Sequence, residues 1–297
     1  MPDIQYLKIV FTFFIFWFFA AIGANMQNSL SYLGILSLGI LHGANDIEIL
    51  RKAFKNEFSF LKILFVYLIA VFFAINIYFF TPKTAVILFI ILSAYHFGEQ
   101  NFGQLTFSRP TLKYSLYLAY GVFLFCILFY TNYEEVQVLL QSMFAVSLSK
   151  NSLTVLTLLS GVPLLLLLFI HSNEKDQMAW MFKELLYLSV LFVFFWAAPL
   201  IIAFAVYFII WHSVPSIKDQ ISYLYGNTSL YSTLSYLKKS LLFWGISLLF
   251  LMGIYFYFKE SQLFDAVLFA ILFVVTVPHT LVIFWMHWRI KHVQNNQ

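Results

Sequence analysis

The chain has 297 residues, 62% of them hydrophobic and only 10% charged, with a mean hydropathy of +0.86 and a formal net charge of +4. A soluble domain carries about 25% charged residues, so this balance excludes a soluble globular fold. It predicts one integral membrane domain over 1–297, not the two soluble domains that length alone would suggest. The single cysteine, Cys126, excludes disulfide frameworks, Cys-ligated zinc, iron–sulfur clusters and c-type haem attachment within the chain.

The apolar runs predict an all-α fold, a polytopic transmembrane helical bundle of about ten helices. A hydrocarbon core about 30 Å thick needs roughly 20 helical residues per crossing. The candidates, in chain order, cover about 7–24, 30–46, 59–80, 84–99, 112–130, 152–170, 179–198, 200–214, 239–258 and 264–288. The first run is followed by NMQNSLSYL, which offers no small-residue cleavage site, so it reads as a span and not as a signal peptide. The second, fourth and eighth are short and end in polar residues, which sets eight to ten as the range. EEVQVLLQSMFAVSL (134–148) is amphipathic and is expected at the membrane interface. Pro199 separates the seventh and eighth spans, because proline ends or kinks a helix.

Charge orients this arrangement. With ten spans, fourteen of the seventeen Lys and Arg residues fall on the side of the two termini, among them Arg51, Lys52, Lys55, Arg109, Lys238, Lys239 and Arg289. Lys83, Lys150 and Lys259 remain on the other side. The positive-inside rule places the richer side, with the N- and C-termini, in the cytoplasm. The cell (inner) membrane is the expected location. The cations are scattered over several loops, so they form no nucleic-acid footprint.

Four histidines stand out: His42 in LHGANDIEIL, His96 in SAYHFGEQN, His212 in FIIWHSVPSIKDQ and His279 in TVPHTLVIFW. In the ten-span reading they lie on helices 2, 4, 8 and 10, which all run towards the cytoplasm. His42, His96 and His212 fall near the cytoplasmic ends and His279 deeper. One such histidine is ordinarily an interfacial residue bonded to a carbonyl or water. Three or four imidazoles gathered at similar depth form the pattern that a buried metal site requires. Asp46 follows His42 by four residues and shares its face if the helix continues. Glu99 follows His96 by three. A carboxylate on the second ring nitrogen is the usual outer partner of a metal-bound histidine. A solvated helix end is the plain alternative for Asp46, Glu48 and Glu99. Gly43 and Gly98 would allow close backbone approach. His171, His287 and His292 read as loop or interfacial residues. Imidazole ligation suits Fe(II), Zn(II) or Cu, and no HExxH zinc-protease motif is present.

HGANDIEIL, YHFGEQNFG, WHSVPSIKDQI and VPHTLVIFW resemble, in this order, the four signature regions of the Brp/Blh family of membrane β-carotene 15,15′-dioxygenases. The resemblance runs from the second span to the last. It implies Fe(2+) held by histidines, β-carotene and dioxygen as substrates, and cleavage at the central double bond to two molecules of retinal. It also implies a functional link to a retinal-binding rhodopsin. Carried over residue by residue, His42, His96 and His212 match family iron ligands. The third region of the family usually reads HSxxH, whereas Ser216 stands at its second histidine position here. His279 is the candidate to complete the site. The alternatives are three histidines with water, or a changed activity. Asp46 and Glu99 are expected to orient ligands or move protons, with no side-chain nucleophile.

Two other classes compete with the enzyme. A metal-free carotenoid- or retinal-binding membrane protein would use the histidines only to bond helix ends. A transporter would use His and Asp as a proton relay, and it predicts more polar residues along several helix faces than this chain carries.

Overall fold

Each apolar run folds as a helix bounded by the prolines and small polar residues around it. The computed structural model describes residues 4–55, 57–175, 177–258 and 264–294. Its helices are α1 (Ile4–Ala20), α2 (Ala24–Leu41), α3 (Asp46–Ala53), α4 (Phe60–Phe80), α5 (Pro82–Phe102), α6 (Pro110–Thr131) and α7 (Tyr133–Phe144). They continue with α8 (Lys150–Lys175), α9 (Met178–Ala197), α10 (Leu200–Val206), a π-helical segment (Tyr207–Ser213), α11 (Val214–Tyr225), α12 (Leu230–Phe258) and α13 (Phe264–Gln294). No strand occurs among the described residues. The fold is all-α and polytopic.

Local chemistry sets the ends. Ser59 caps α4 by accepting from the Lys62 amide, and Pro110 opens α6, where a missing N–H costs nothing. Gly226, at φ 77°, stops α11 in the left-handed conformation that glycine adopts without a Cβ clash. Eight helical stretches are long and apolar enough to cross a membrane: Ala24–Ala53, Phe60–Phe80, Pro110–Thr131, Lys150–Lys175, Met178–Ala197, Leu200–Tyr225, Leu230–Ile254 and Val267–Arg289. The apolar helix Leu7–Ala20 is shorter, and α5, with 21 residues, is about 32 Å long at 1.5 Å per residue. Among the described residues the eight candidates fall within the expected range of eight to ten. The amphipathic stretch after α6 is a helix, α7, as its pattern suggests.

Two helix boundaries beside the motif histidines, and the placement of two other histidines, differ from expectation. The second helix does not run to 46 but ends at Leu41, and residues 42–45 turn before α3 begins. Gly43, Asn45 and Asp46 favour turns over helix interiors, and the turn is closed by short bonds from the Gly43, Ala44 and Asp46 amides to the Ile40, Leu41 and Gly43 carbonyls. The helix expected at 200–214 continues through the π-helical segment to Tyr225. His171 is no loop residue: it is buried in α8 between Phe107 and Trp180. His287 lies within α13, partly buried. The side chain of His292 lies outside the described residues.

The chain divides into two units, Met1–Gly34 with Ser93–His212, and Ile35–Leu92 with Ser213–Gln297. In the first, Phe102, Leu116, Tyr117, Leu164, Leu168 and Leu188 form a core between α5, α6, α8 and α9. The backbones of α5 and α6 meet there. A Cβ on Gly98 would lie 2.0 Å from the Tyr117 carbonyl oxygen, and one on Gly121 2.0 Å from that of Ala94. In lipid, where apolar burial gives helices little reason to associate, such close packing supplies the attraction. In the second unit, α3 turns Ile47, Ile49 and Leu50 towards Ile63 of α4 and Val282, Ile283 and Met286 of α13. Its polar face carries Lys52, whose Nζ donates to the Tyr223 and Leu224 carbonyls at the end of α11. A cation there satisfies the last carbonyls of a helix and complements its dipole.

Candidate functional site

The four motif histidines occupy two buried pairs, one in each unit. In the first unit His96, on α5, and His212, on the π-helical segment, are 2% and 1% exposed. Their ring centroids are 4.7 Å apart in an edge-to-face arrangement. The Gly98–Tyr117 contact lies half a turn beyond His96 and sets its position against α6. The π-helical segment widens the helix by one residue per turn, a distortion found often at functional sites. It buries Trp211, His212 and Ser213 in succession. Trp211 Nε1 donates to Thr12 Oγ1 on α1 at 2.9 Å, which anchors the segment. Phe97 and Phe208 flank the His212 ring at 4.7 and 5.6 Å, Phe208 stacked on it. Glu99 stands on the Nδ1 side of His96, its Oε2 3.9 Å away, and is itself buried.

In the second unit His42 and His279 form the other pair, with centroids 4.5 Å apart and rings perpendicular. His42 opens the turn after α2, and His279 lies on α13 directly after Pro278, which interrupts the backbone bonding of that helix. The helix that would have put Asp46 on the face of His42 is interrupted at 42–45. The break there sends Asp46 to His279, whose Nδ1 lies 2.9 and 3.1 Å from its two carboxylate oxygens. Tyr67 OH donates to Asp46 Oδ2 at 3.1 Å. This Tyr–Asp–His chain directs Nε2 of His279 away from the carboxylate, in the arrangement seen behind metal-bound histidines.

The surroundings of His42 were not read from the sequence. Ser213 Oγ lies 3.4 Å from its Nδ1, and Gln220 Nε2 donates to its backbone carbonyl at 2.8 Å. Ser216 accepts from the same Gln220 nitrogen at 3.1 Å. Ser213, Ser216 and Gln220 are spaced by three and four residues, hence on one helix face. That spacing stands inside WHSVPSIKDQI and was the signal available.

The fold and these pairs define a class: a polytopic membrane protein that carries its polar chemistry as buried imidazoles. The family model for β-carotene 15,15′-dioxygenase matches residues 33–287, and the chain belongs to that family. The match includes all four motif histidines and leaves out α1. No match was found among curated proteins or solved structures.

Proposed function

We propose that this chain cleaves β-carotene at its central 15,15′ double bond with dioxygen, giving two molecules of retinal, and that it does so with iron(II). In this reading His42, His96 and His212 hold the metal and His279 is the fourth ligand. The observation that carries it is the burial of all four motif histidines as two close ring pairs within the region of the family match. The donor set fits the metal, since imidazole suits iron(II).

Iron(II), held there by the histidines, would supply the redox chemistry that activates dioxygen. The two oxygen atoms of one dioxygen end in the two aldehydes, so scission of the double bond requires no further oxidant or reductant. The protein's own contribution is positional. Asp46, held by Tyr67, fixes the His279 tautomer, and Glu99 stands on the Nδ1 side of His96. Phe97 and Phe208 keep water from the His212 ring, which protects reactive species from side reactions. The apolar substrate is delivered by the bilayer itself. The retinal formed would serve a retinal-binding membrane protein such as a rhodopsin.

In a carotene-producing host, expression is expected to bleach the orange pigment and release retinal only when Fe(II) is supplied. Pigment and retinal are both measured by absorbance after extraction. Unchanged pigment beside an iron-loaded protein would overturn the substrate assignment. A well-folded protein that takes up carotenoid but no iron would favour the binder.

The orientation is proposed from charge. Reporter fusions at Gln297 and in the loop carrying Arg51, Lys52 and Lys55 are both expected to score cytoplasmic. An external score at only one point would mean an odd number of crossings between them, and external scores at both would reverse the orientation.

A further inference from the structure

We infer that Gln220 is a positioning residue for His42, acting through the backbone of the turn that presents the ring. The inference rests on the reading of His42 as a metal ligand and adds to it the groups that hold that ligand in place.

His42 is the first residue beyond α2, where helix carbonyls lose their intrahelical donors. Gln220, fully buried on α11, supplies one by donating Nε2–H to the His42 carbonyl at 2.8 Å. A carbonyl can only accept, so this contact fixes which end of the amide faces the turn. The second Nε2 hydrogen goes to Ser216 Oγ at 3.1 Å, and Oε1 accepts from the Tyr236 hydroxyl at 2.8 Å. Tyr236 is fully buried on α12, and its own carbonyl accepts from Asn45 Nδ2 at 3.2 Å, at the other end of the same turn. Both ends of 42–45 are thus tied to one network. Every polar atom of the Gln220 amide is engaged, which makes the orientation of the side chain unique.

The helix face that carries Gln220 also carries Ser213, beside His42 Nδ1. Ser213 follows His212 directly in the chain. One segment, 212–220, therefore supplies one proposed ligand and restrains another at both its ring and its backbone. A displacement of α11 would alter the two together.

The test uses full-length protein in detergent, titrated with Fe(II) and, for its visible ligand-field bands, with Co(II). Gln220→Leu removes the donor to the His42 carbonyl, and Tyr236→Phe removes only the hydroxyl that orients the amide. Gln220→Leu is expected to weaken metal binding by ~10–100-fold, the loss typical for an outer partner of a ligand, and to shift the Co(II) bands. Tyr236→Phe is expected to shift the bands in the same direction by less, while the protein elutes as the wild type does. Wild-type affinity and unchanged bands in both variants would overturn the inference. A wild-type protein that binds neither ion would instead overturn the iron reading on which it rests, so the two failures are distinct.

Discussion

Replacing His212 with alanine is expected to lower iron content from one per chain to almost none and to abolish retinal formation, while the protein remains folded and extractable. The ring is buried between Phe97, Phe208 and His96, and its loss leaves a cavity there. Folding is tolerant of that, since Thr12 still anchors the segment through Trp211. Metal binding is not tolerant, because with at most four protein donors each one carries a large share of the affinity. His42→Ala and His96→Ala are expected to behave alike. His279→Ala tests the fourth position: as a ligand held by Asp46 it should weaken binding at least as much as the ~10–100-fold loss typical of an outer partner, and Ser216→His should then add little. Iron is measured by elemental analysis of purified protein. Full occupancy in two of the three variants at His42, His96 and His212 would refute the site. If Ser216→His raises affinity while His279→Ala changes nothing, the natural site has three histidines.

The helices were legible because lipid demands long apolar runs, and a run of about 20 residues has one structural solution. Pro199 and the amphipathic 134–148 segment marked their features for the same local reasons. The four motif histidines were legible as polar groups that an apolar helix would not otherwise keep. Their partners were not. Asp46 was expected on the face of His42 only if the helix continued, and Gly43 and Asn45 interrupt that helix at the turn 42–45. The carboxylate then met a histidine more than two hundred positions away in sequence. Tyr67 and Tyr236 were invisible for a related reason, and at Gln220 only the spacing from Ser213 and Ser216 was visible, not the partners. A buried amide or hydroxyl is recognised by what it bonds across helices, and a single sequence does not contain that pairing. The π-helical segment had no signal at all, since apolar residues fill it as they would an α-helix.

Gly98 and Gly43 look equivalent in the motifs, each one or two residues after a histidine, yet their replacement is expected to have opposite outcomes. A methyl group on Gly98 would lie 2.0 Å from the carbonyl oxygen of Tyr117 and 2.5 Å from its Cα. Those are backbone atoms and cannot rotate away, so α5 must shift from α6 by more than an ångström. Overpacking of this kind costs about 1–3 kcal/mol, occasionally more, and the shift is applied two residues from His96. Gly98→Ala is therefore expected to lower the thermal midpoint in detergent and to cost most of the bound iron. At Gly43 the nearest atom to an added Cβ is Nδ1 of His279 at 3.5 Å, followed by Asp46 Oδ2 at 3.8 Å. Both are ordinary contacts, and Gly43 is absent from the positive-φ positions. Gly43→Ala is expected to keep wild-type stability and iron content, measured by the same two assays. Close approach of backbones is then a property of the α5–α6 crossing and not of the turn at 42–45, which depends on its hydrogen bonds to Gln220 and Tyr236. Equal losses in the two variants would show that this distinction is wrong.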